Sequence, residues 1–303
     1  MRMADLIIGI VMWTGSAVAG HAAQPPDFVA AVDAYEAKDY SRCAEILGSL
    51  QRASIPFPQN AQLLQVECLA AAGRTDEALR YLDSEIPHGR IAAEDLRGKD
   101  RPGLNRLRKT KAWPALLAKA ERLGAQQNAF LDQALRQELL ARVEKDQQVR
   151  RAAIAAGGKP EDWARIAPVD RDNTAWLKQV VARQGWPGNA LVGEDGAEAA
   201  WILVQHADAD PTFQAQMLPL LEAALSRRDV AADHVALLTD RVLRAQGKPQ
   251  RYGTQFETEA DGYMSLQPTE DEAGLDARRR AVGLPSIADY KRMLQETYHT
   301  PVR

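Results

Sequence analysis

Near its N-terminus, the amino-acid sequence aligns with itself at a spacing of about 34 residues, which is typical of arrays of paired helices. The alignment places Tyr35 on Leu69 and Ala44 on Ala78. Apolar residues recur at helical spacing within each copy, and the small side chains of Ala44 and Ala78 would let two helices cross closely. The spacing therefore predicts two consecutive helical hairpins.

A turn signal divides each of the two copies. Asp39-Tyr40 and Gly73-Arg74 interrupt the helical spacing at equivalent positions. The segment from Asp27 to Pro87 resembles tetratricopeptide repeats, most clearly between Leu69 and Leu79, although Asp39 replaces the usual turn glycine of the first repeat. The resemblance implies a groove for a protein or peptide. The alternative is a structural cap on the C-terminal part, because two repeats offer little concave surface.

Residues 1–23 have the pattern of a secretory signal peptide. Arg2 supplies a positive charge, an apolar run extends from Leu6 to Trp13, and small residues follow from Gly15 to Ala23. The apolar run is too short to span the ~30 Å core of a bilayer, and no later segment is predicted to cross a membrane. We therefore expect cleavage near Ala23 and a periplasmic or secreted protein.

The two cysteines of the sequence, Cys43 and Cys68, both lie in the repeat region. An even pair in an exported protein is a candidate disulfide. The alternative is a pair of buried thiols, because cysteine is common in helical cores whether or not it is bonded. In either case, their places in neighbouring helices predict that the two residues lie close together.

The composition is that of a globular protein with room for two modest domains, since 46% of the residues are hydrophobic and 26% are charged. The formal net charge of -3 is spread along the chain and gives no footprint for nucleic acid. We predict a mostly α-helical protein. In it, a tetratricopeptide-like region and a bridge (residues 25–123) pack on a helical domain with one small β-hairpin (residues 124–303). Apolar anchors in the bridge follow a predicted loop at residues 99–103: Leu104, Leu107, Trp113, Leu116 and Leu117.

Predicted helices of the C-terminal part carry polar residues on their apolar faces. A helix from about Asn128 to Ala156 has Asp146 and Arg150 on its apolar stripe. A second helix is predicted to begin at Asn173, as its N-cap, and to end at Gly185. Burying a charge costs several kcal/mol unless it is paired. Partners for Asp146 and Arg150 are therefore expected elsewhere in the fold.

A central buried helix is predicted at residues 197–204, which are apolar on every side. Gln205, His206 and Asp208 follow it, and helical spacing places at least one of these polar groups in the interior. Asp210 precedes a proline and is expected to cap the next helix.

A helix over about residues 231–246 and a β-hairpin with its turn at Asp261-Gly262 complete the predicted domain. Four motifs along the domain are Trp186-Pro187-Gly188, Gln205-His206-Ala207-Asp208, Asp240-Arg241 and Gly247-Lys248-Pro249-Gln250-Arg251-Tyr252-Gly253-Thr254-Gln255. With these motifs, the chain is similar to an uncharacterised bacterial domain family from about Asn128 to Tyr290. That resemblance implies no activity, and standard catalytic and phosphate-binding signatures are missing from the sequence.

The candidate site gathers these polar residues around one pocket. His206 is the candidate general acid or base, since an ordinary pKa of ~6.5 allows proton transfer near neutrality. Asp208 or Asp240 would orient His206, while arginines would bind an anionic group. The predicted catalytic residues are His206, Asp146, Arg150, Asp208, Asp240 and Arg241, and the predicted substrate-binding residues are Trp186, Gln205, Gln250, Tyr252, Thr254 and Gln255. The alternative is that the charges pair with one another and fix the helices in register.

Two function classes are consistent with the sequence. The first is an exported cell-envelope protein that binds a protein or an envelope ligand through its repeats and its polar pocket. The alternative is a hydrolase or transferase acting on an envelope component, with His206 as acid or base. No cofactor is expected, and no metal, because Asp210 in a His206-Asp208-Asp210 site is better explained as a helix cap. An open cleft with unpaired polar groups would favour the enzyme, and closed pairs would favour the binding protein or scaffold.

Overall fold

The computed structural model describes residues 28–57, 61–98, 100–156, 164–227 and 229–303. These residues are mostly α-helical with one small two-stranded antiparallel sheet, as predicted. The predicted signal peptide lies outside them. Across the described ranges, no helix has the length and apolar character needed to cross a bilayer. The chain divides into two compact units: an N-terminal unit of residues 28–130 and Arg280–Ser286, and a C-terminal unit of Leu131–Arg279 and Ile287–Arg303.

The N-terminal unit begins with two helical hairpins, as the repeat spacing predicts. Its helices are α1 (Phe28–Glu36), α2 (Tyr40–Arg52), α3 (Ala61–Ala71), α4 (Thr75–Glu85), α5 (Ala93–Gly98), α6 (Pro102–Leu107) and α7 (Trp113–Asn128), with a 3-10 helix at Ile86–His88. Helices α1 and α2 pack together, and so do α3 and α4. The Asp39 carboxylate caps α2 by accepting a hydrogen bond from the backbone N–H of Arg42 at 3.0 Å. In the second hairpin, Gly73 has a φ of +85°, which a glycine adopts without strain.

A disulfide bond joins the two hairpins inside their shared core. It links Cys43 on α2 to Cys68 on α3, and the two Cα atoms are 5.9 Å apart. The prediction that these cysteines lie close together is confirmed, and the bonded state is the one found. The fully buried leucines and valine around the bond include Leu47, Val66, Leu69 and Leu82.

A buried carboxylate holds the bridge against the second hairpin. Oε1 and Oε2 of Glu67 accept hydrogen bonds from the backbone N–H groups of Gly103 and Leu104, at 2.7 and 2.8 Å. These N–H groups belong to the first turn of α6, where they have no partner within the helix. The predicted loop at residues 99–103 was too long, because α6 already begins at Pro102. The predicted apolar anchors of the bridge do lie in the core or pack against it.

The C-terminal unit packs helices around one central buried helix. Its elements are α8 (Gln133–Ala155), α9 (Ile166–Gln184), α10 (Asn189–Gln205), α11 (Pro211–Ser226), α12 (Ala232–Ala245), β1 (Phe256–Thr258), β2 (Met264–Leu266), α13 (Leu275–Ala281) and α14 (Ile287–Tyr298), with a 3-10 helix at Glu272–Gly274. Phe256 pairs with Leu266 and Thr258 with Met264, which confirms the predicted hairpin. The second half of α10 is buried on every side, as expected for residues 197–204.

Two helix starts differ from the sequence prediction. Helix α8 begins at Gln133 with Asp132 as its N-cap, whereas the prediction began it near Asn128, where α7 ends. Helix α9 begins at Ile166 and passes through Asn173, which was predicted to be its N-cap. Asn173 does not cap because it is buried inside the fold, where its Oδ1 accepts a hydrogen bond from Arg142 Nη1 at 3.1 Å. The predicted cap at Asp210 is confirmed, since its carboxylate accepts from the backbone N–H of Phe213.

Candidate functional site

Two buried side chains, one from α8 and one at the end of α10, form the centre of a polar cluster. His206 Nδ1 lies 2.8 Å from Asp146 Oδ2, and both side chains are almost fully buried. Burial, and then the positive charge of Arg150, lower the pKa of His206 below its ordinary value, so the ring is neutral near neutral pH. A neutral ring that donates from Nδ1 to Asp146 carries its lone pair on Nε2. Within the described parts of the chain, Nε2 has no hydrogen-bond partner.

Arg150 connects this pair to Asp170 on α9. Its Nη1 donates to Asp146 Oδ1 at 2.7 Å, and its Nη2 donates to both carboxylate oxygens of Asp170 at 3.0 Å. Two carboxyl groups therefore share one guanidinium. Burial raises the pKa of Asp170 to about 7, with Asp146 adding to the shift and Arg150 opposing it. Burial also acts to raise the pKa of Asp146, but His206 and Arg150 outweigh it and lower that pKa.

These shifts separate the two carboxyl groups near neutral pH. Asp146 is ionised, because the Arg150 guanidinium and the His206 N–H both stabilise its charge. Burial raises the pKa of Asp170, and its side chain is 18% exposed, so it can exchange a proton with solvent. The cluster thus contains one fixed charge pair and one titrating carboxyl group.

A second group of polar side chains lies at the end of α10. Arg241 on α12 donates from Nε to Gln205 Oε1 at 2.7 Å and from Nη1 to Asp208 Oδ1 at 2.6 Å. Gln205 Nε2 is buried and has no hydrogen-bond partner in the described residues. Gln205 directly precedes His206, and the charge of Arg241 contributes to lowering the pKa of His206.

Asp240 neighbours Arg241 on α12, but its carboxylate binds a different structure, the turn before β1. Its carboxylate accepts hydrogen bonds from the backbone N–H of Arg251 at 2.7 Å and from the N–H and Oγ1 of Thr254, both at 2.9 Å. Gln250 closes the same turn by donating from Nε2 to the Gln255 carbonyl at 2.9 Å and accepting from its N–H at 2.8 Å. These polar side chains therefore hold the backbone of the turn.

The structure brings together half of the twelve residues predicted to form one pocket: Asp146, Arg150, Gln205, His206, Asp208 and Arg241. Charges from α8 and α12 both reach residues 205–208, since Asp146 bonds His206 and Arg241 bonds Gln205 and Asp208. Asp240, Gln250, Thr254 and Gln255 are instead engaged in the turn. The Tyr252 ring lies against Arg251, and its backbone N–H donates to Asp240. Trp186 packs against the core, with its indole Nε1 buried and unpartnered among the described residues.

Sequence reasoning missed Asp170. The signal was present, because Asp170 continues the buried face of α9 that contains Ile166, Thr174 and Leu177. A carboxyl group at helical spacing among buried residues is the same pattern that singled out Asp146. It was overlooked because the predicted helix began at Asn173, three residues after Asp170.

Three members of the cluster have the residue types of a metal site. Ligand atoms of Asp146, Asp170 and His206 all lie within 4.8 Å of one another. However, the Arg150 guanidinium already donates to both carboxylates, and His206 Nδ1 is bonded to Asp146. A cation bound there would have to displace these hydrogen bonds. The cluster is therefore a hydrogen-bonded network of paired charges.

The N-terminal unit contains a separate groove. A cavity of about 580 Å³ lies among α2, α3 and α4. Small or buried residues form its floor: Ala44, Gly48, Gln65 and Leu69. Charged residues form its rim: Glu45, Arg52, Arg74, Glu77 and Arg80. The groove combines a floor of small or buried side chains with an excess of basic groups at the rim.

Comparison with known proteins shows one relationship. No curated protein and no solved structure is significantly similar to the chain. A profile of a family of unknown function, DUF6624, matches residues 133–303, which is more than half of the chain and begins where α8 begins. The matched region contains the whole polar cluster around His206. The protein therefore belongs to the DUF6624 family of unknown function.

Proposed function

We propose that the protein is an exported cell-envelope protein that binds a protein or peptide through its N-terminal hairpins, which resemble tetratricopeptide repeats. One observation carries the binding role: the groove among α2, α3 and α4. Its volume of about 580 Å³ lies within the ~300–1,000 Å³ that is usual for ligand sites. The proposed export rests on the signal-like pattern of residues 1–23.

A buried hydrogen-bond acceptor without a partner in the described residues favours binding at the groove. In the groove, Gln65 is 4% exposed and its Oε1 accepts no hydrogen bond from the described residues. A buried acceptor without a partner costs about 1–3 kcal/mol. A partner that donates a hydrogen bond in the groove would recover that energy.

Selection from a random-peptide display library tests the proposed binding. The wild-type protein should enrich a set of related peptides, and Gly48→Leu, which places a side chain into the groove, should not. A Cβ at Gly48 meets only the flexible end of Arg52, so the substitution is expected to fold. Gly124→Leu on α7 is the matched control, because a Cβ there meets open space. Equal enrichment by all three proteins would contradict binding in the groove.

The export part of the proposal has its own measurement. Intact mass of the protein recovered from the periplasm or the medium should correspond to a chain that begins near residue 24. A mass that includes residue 1 would contradict the signal peptide and leave the binding proposal unaffected.

A second candidate function is a hydrolase or transferase reaction that uses His206 as general base. The observation that favours it is the Asp146–His206 hydrogen bond at Nδ1, which leaves Nε2 without a partner in the described residues. A carboxylate at Nδ1 fixes the tautomer and stabilises the imidazolium that forms when Nε2 accepts a proton.

Turnover of nitrophenyl esters, phosphates and glycosides tests this second function. His206→Gln should abolish any turnover while leaving the melting temperature close to that of the wild type. A large loss of melting temperature, with no turnover by the wild-type protein, would indicate that the pair is only structural.

A further inference from the structure

The dimensions of the groove limit what can occupy it. Its wall on α2 extends from Ala44 to Arg52, and its wall on α4 extends from Glu77 to Ser84. A helix rises 1.5 Å per residue, so each wall is about 10–12 Å long. An extended chain advances about 3.3 Å per residue. The groove therefore matches three to four residues of an extended peptide.

The charges at the rim do not cancel one another. Arg74 and Glu77 neutralise each other through a salt bridge of 2.6 Å. Arg52 and Arg80 form no ion pair with any described residue, and Glu45 is the one remaining acidic residue of the lining. The groove therefore keeps a net positive charge, on two exposed guanidinium groups that can bind carboxylates.

The floor offers a different kind of contact. Gln65 presents a buried side-chain amide whose Oε1 lacks a donor among the described residues, and Ala44 and Leu69 in the same lining are also buried. An extended peptide has a backbone N–H at every residue other than proline, and such a group would supply the missing donor. Chloride and sulfate have no such donor. Floor and rim together therefore favour a peptide over a small anion.

We propose that the occupant of the groove is an extended acidic peptide segment, whose carboxylates bind Arg52 and Arg80 and whose backbone donates to Gln65. This inference rests on the proposed binding function and specifies its partner class. Arg52 and Arg80 are exposed, so salt screens their charges and the affinity is expected to depend on ionic strength.

Fluorescence anisotropy with labelled hexaglutamate, hexaglutamine and hexalysine peptides tests the inference. Hexaglutamate should bind most tightly, and added salt should weaken its binding. Arg52→Gln and Arg80→Gln should each weaken binding about threefold, and the double variant about tenfold, since an exposed ion pair contributes only modestly to affinity. Arg122→Gln is the matched control, because Arg122 is exposed on α7 outside the groove.

A further variant separates recognition from stability. Gln65→Leu removes the unpartnered oxygen, so it should raise or preserve the melting temperature while weakening hexaglutamate binding. Unchanged binding in Gln65→Leu and in the double arginine variant would overturn the inference. If all three peptides bind equally and Gly48→Leu abolishes their binding, the binding function stands and the acidic preference fails. If no peptide binds, both proposals fail.

Discussion

His206 Nδ1 lies 2.8 Å from Asp146 Oδ2, although the two residues are 60 positions apart in the sequence. This hydrogen bond joins the middle of α8 to the end of α10 inside the core of the C-terminal unit. Asp146 also pairs with Arg150 at 2.7 Å, and both of these charged side chains are at least 98% buried. The buried charge of Asp146 therefore holds α8 and α10 in register.

Replacing Asp146 with asparagine should destabilise the protein strongly. The Asp146→Asn variant leaves the buried Arg150 with only the partly protonated Asp170, and breaking a buried ion pair costs about 3–5 kcal/mol. We expect a decrease of about 3 kcal/mol in the free energy of unfolding, measured by urea denaturation. Glu144→Gln on the same helix is the control, because the Glu144 side chain is 69% exposed and its loss should change stability by less than about 0.5 kcal/mol. Similar decreases in the two variants would contradict the assigned role.

Asp170 should make stability depend on pH in a definite direction. Its folded-state pKa of about 7 is above the ordinary 3.8, so its stabilising contribution is complete below about pH 4 and is lost as the pH rises through 7. Asp170→Asn resembles the neutral carboxyl group and removes this dependence. The wild type should therefore lose stability relative to Asp170→Asn between about pH 4 and pH 8, measured by urea midpoints. Parallel pH curves for the two proteins would contradict the shift.

The control for this measurement is Asp172→Asn. Asp172 lies two residues away on the same helix, but its side chain is 66% exposed and pairs with Arg142 at 2.9 Å. The difference in urea midpoint between Asp172→Asn and the wild type should be nearly constant over the same pH range. If the stability difference between Asp172→Asn and the wild type changed with pH as strongly as that of Asp170→Asn, the pH dependence would belong to the exposed surface of α9 and not to Asp170.

The features predictable from the sequence are those that depend on helical spacing. The repeat spacing predicted the two hairpins, and the interruption of an apolar stripe identified Asp146 and Arg150 as buried and paired. The same logic would have found Asp170, but the prediction gave Asn173 the role of an N-cap. Local capping preference was outweighed there by a tertiary contact, the hydrogen bond from Arg142. That contact joins residues 31 positions apart and leaves no local signal.

Other features could not be predicted because they depend on the path of the backbone. Thr254 and Gln250 have side chains suited to binding a ligand, and only the fold shows that they bind the turn before β1 instead. The groove of the N-terminal unit depends on small side chains at Ala44 and Gly48 facing Gln65 of another helix. A cavity between helices depends on how the helices pack, and a single sequence shows no pattern for it.

The Cys43–Cys68 bond should contribute measurably to stability. The two residues are 25 positions apart, and closing a loop of that size in the unfolded chain is expected to stabilise the fold by about 3 kcal/mol. The chain has two cysteines, so reduction of the wild type removes this bond alone. We expect the urea midpoint to fall when dithiothreitol is added, and no fall in Cys43→Ala/Cys68→Ala. Two free thiols in the purified, oxidised protein would contradict the bond.

Two glycines of the N-terminal unit should respond to alanine in opposite directions. Gly48 lies within α2, and a Cβ there would approach only Arg52 Nη1, at 3.4 Å. Gly48→Ala should therefore raise the free energy of unfolding by about 0.5–1 kcal/mol, as expected for alanine over glycine inside a helix.

At Gly103, a Cβ would lie 2.3 Å from the backbone oxygen of Glu67 and 2.8 Å from its carboxylate. Gly103→Ala should lower stability by about 1–3 kcal/mol, because α6 must move away from the carboxylate that caps it. The comparison uses the same substitution in both helices, and urea denaturation measures it. A loss of stability in both variants would show that the surroundings of Gly48 leave too little space for a methyl group. A gain in both would show that the close approach of α6 to Glu67 is not maintained in solution.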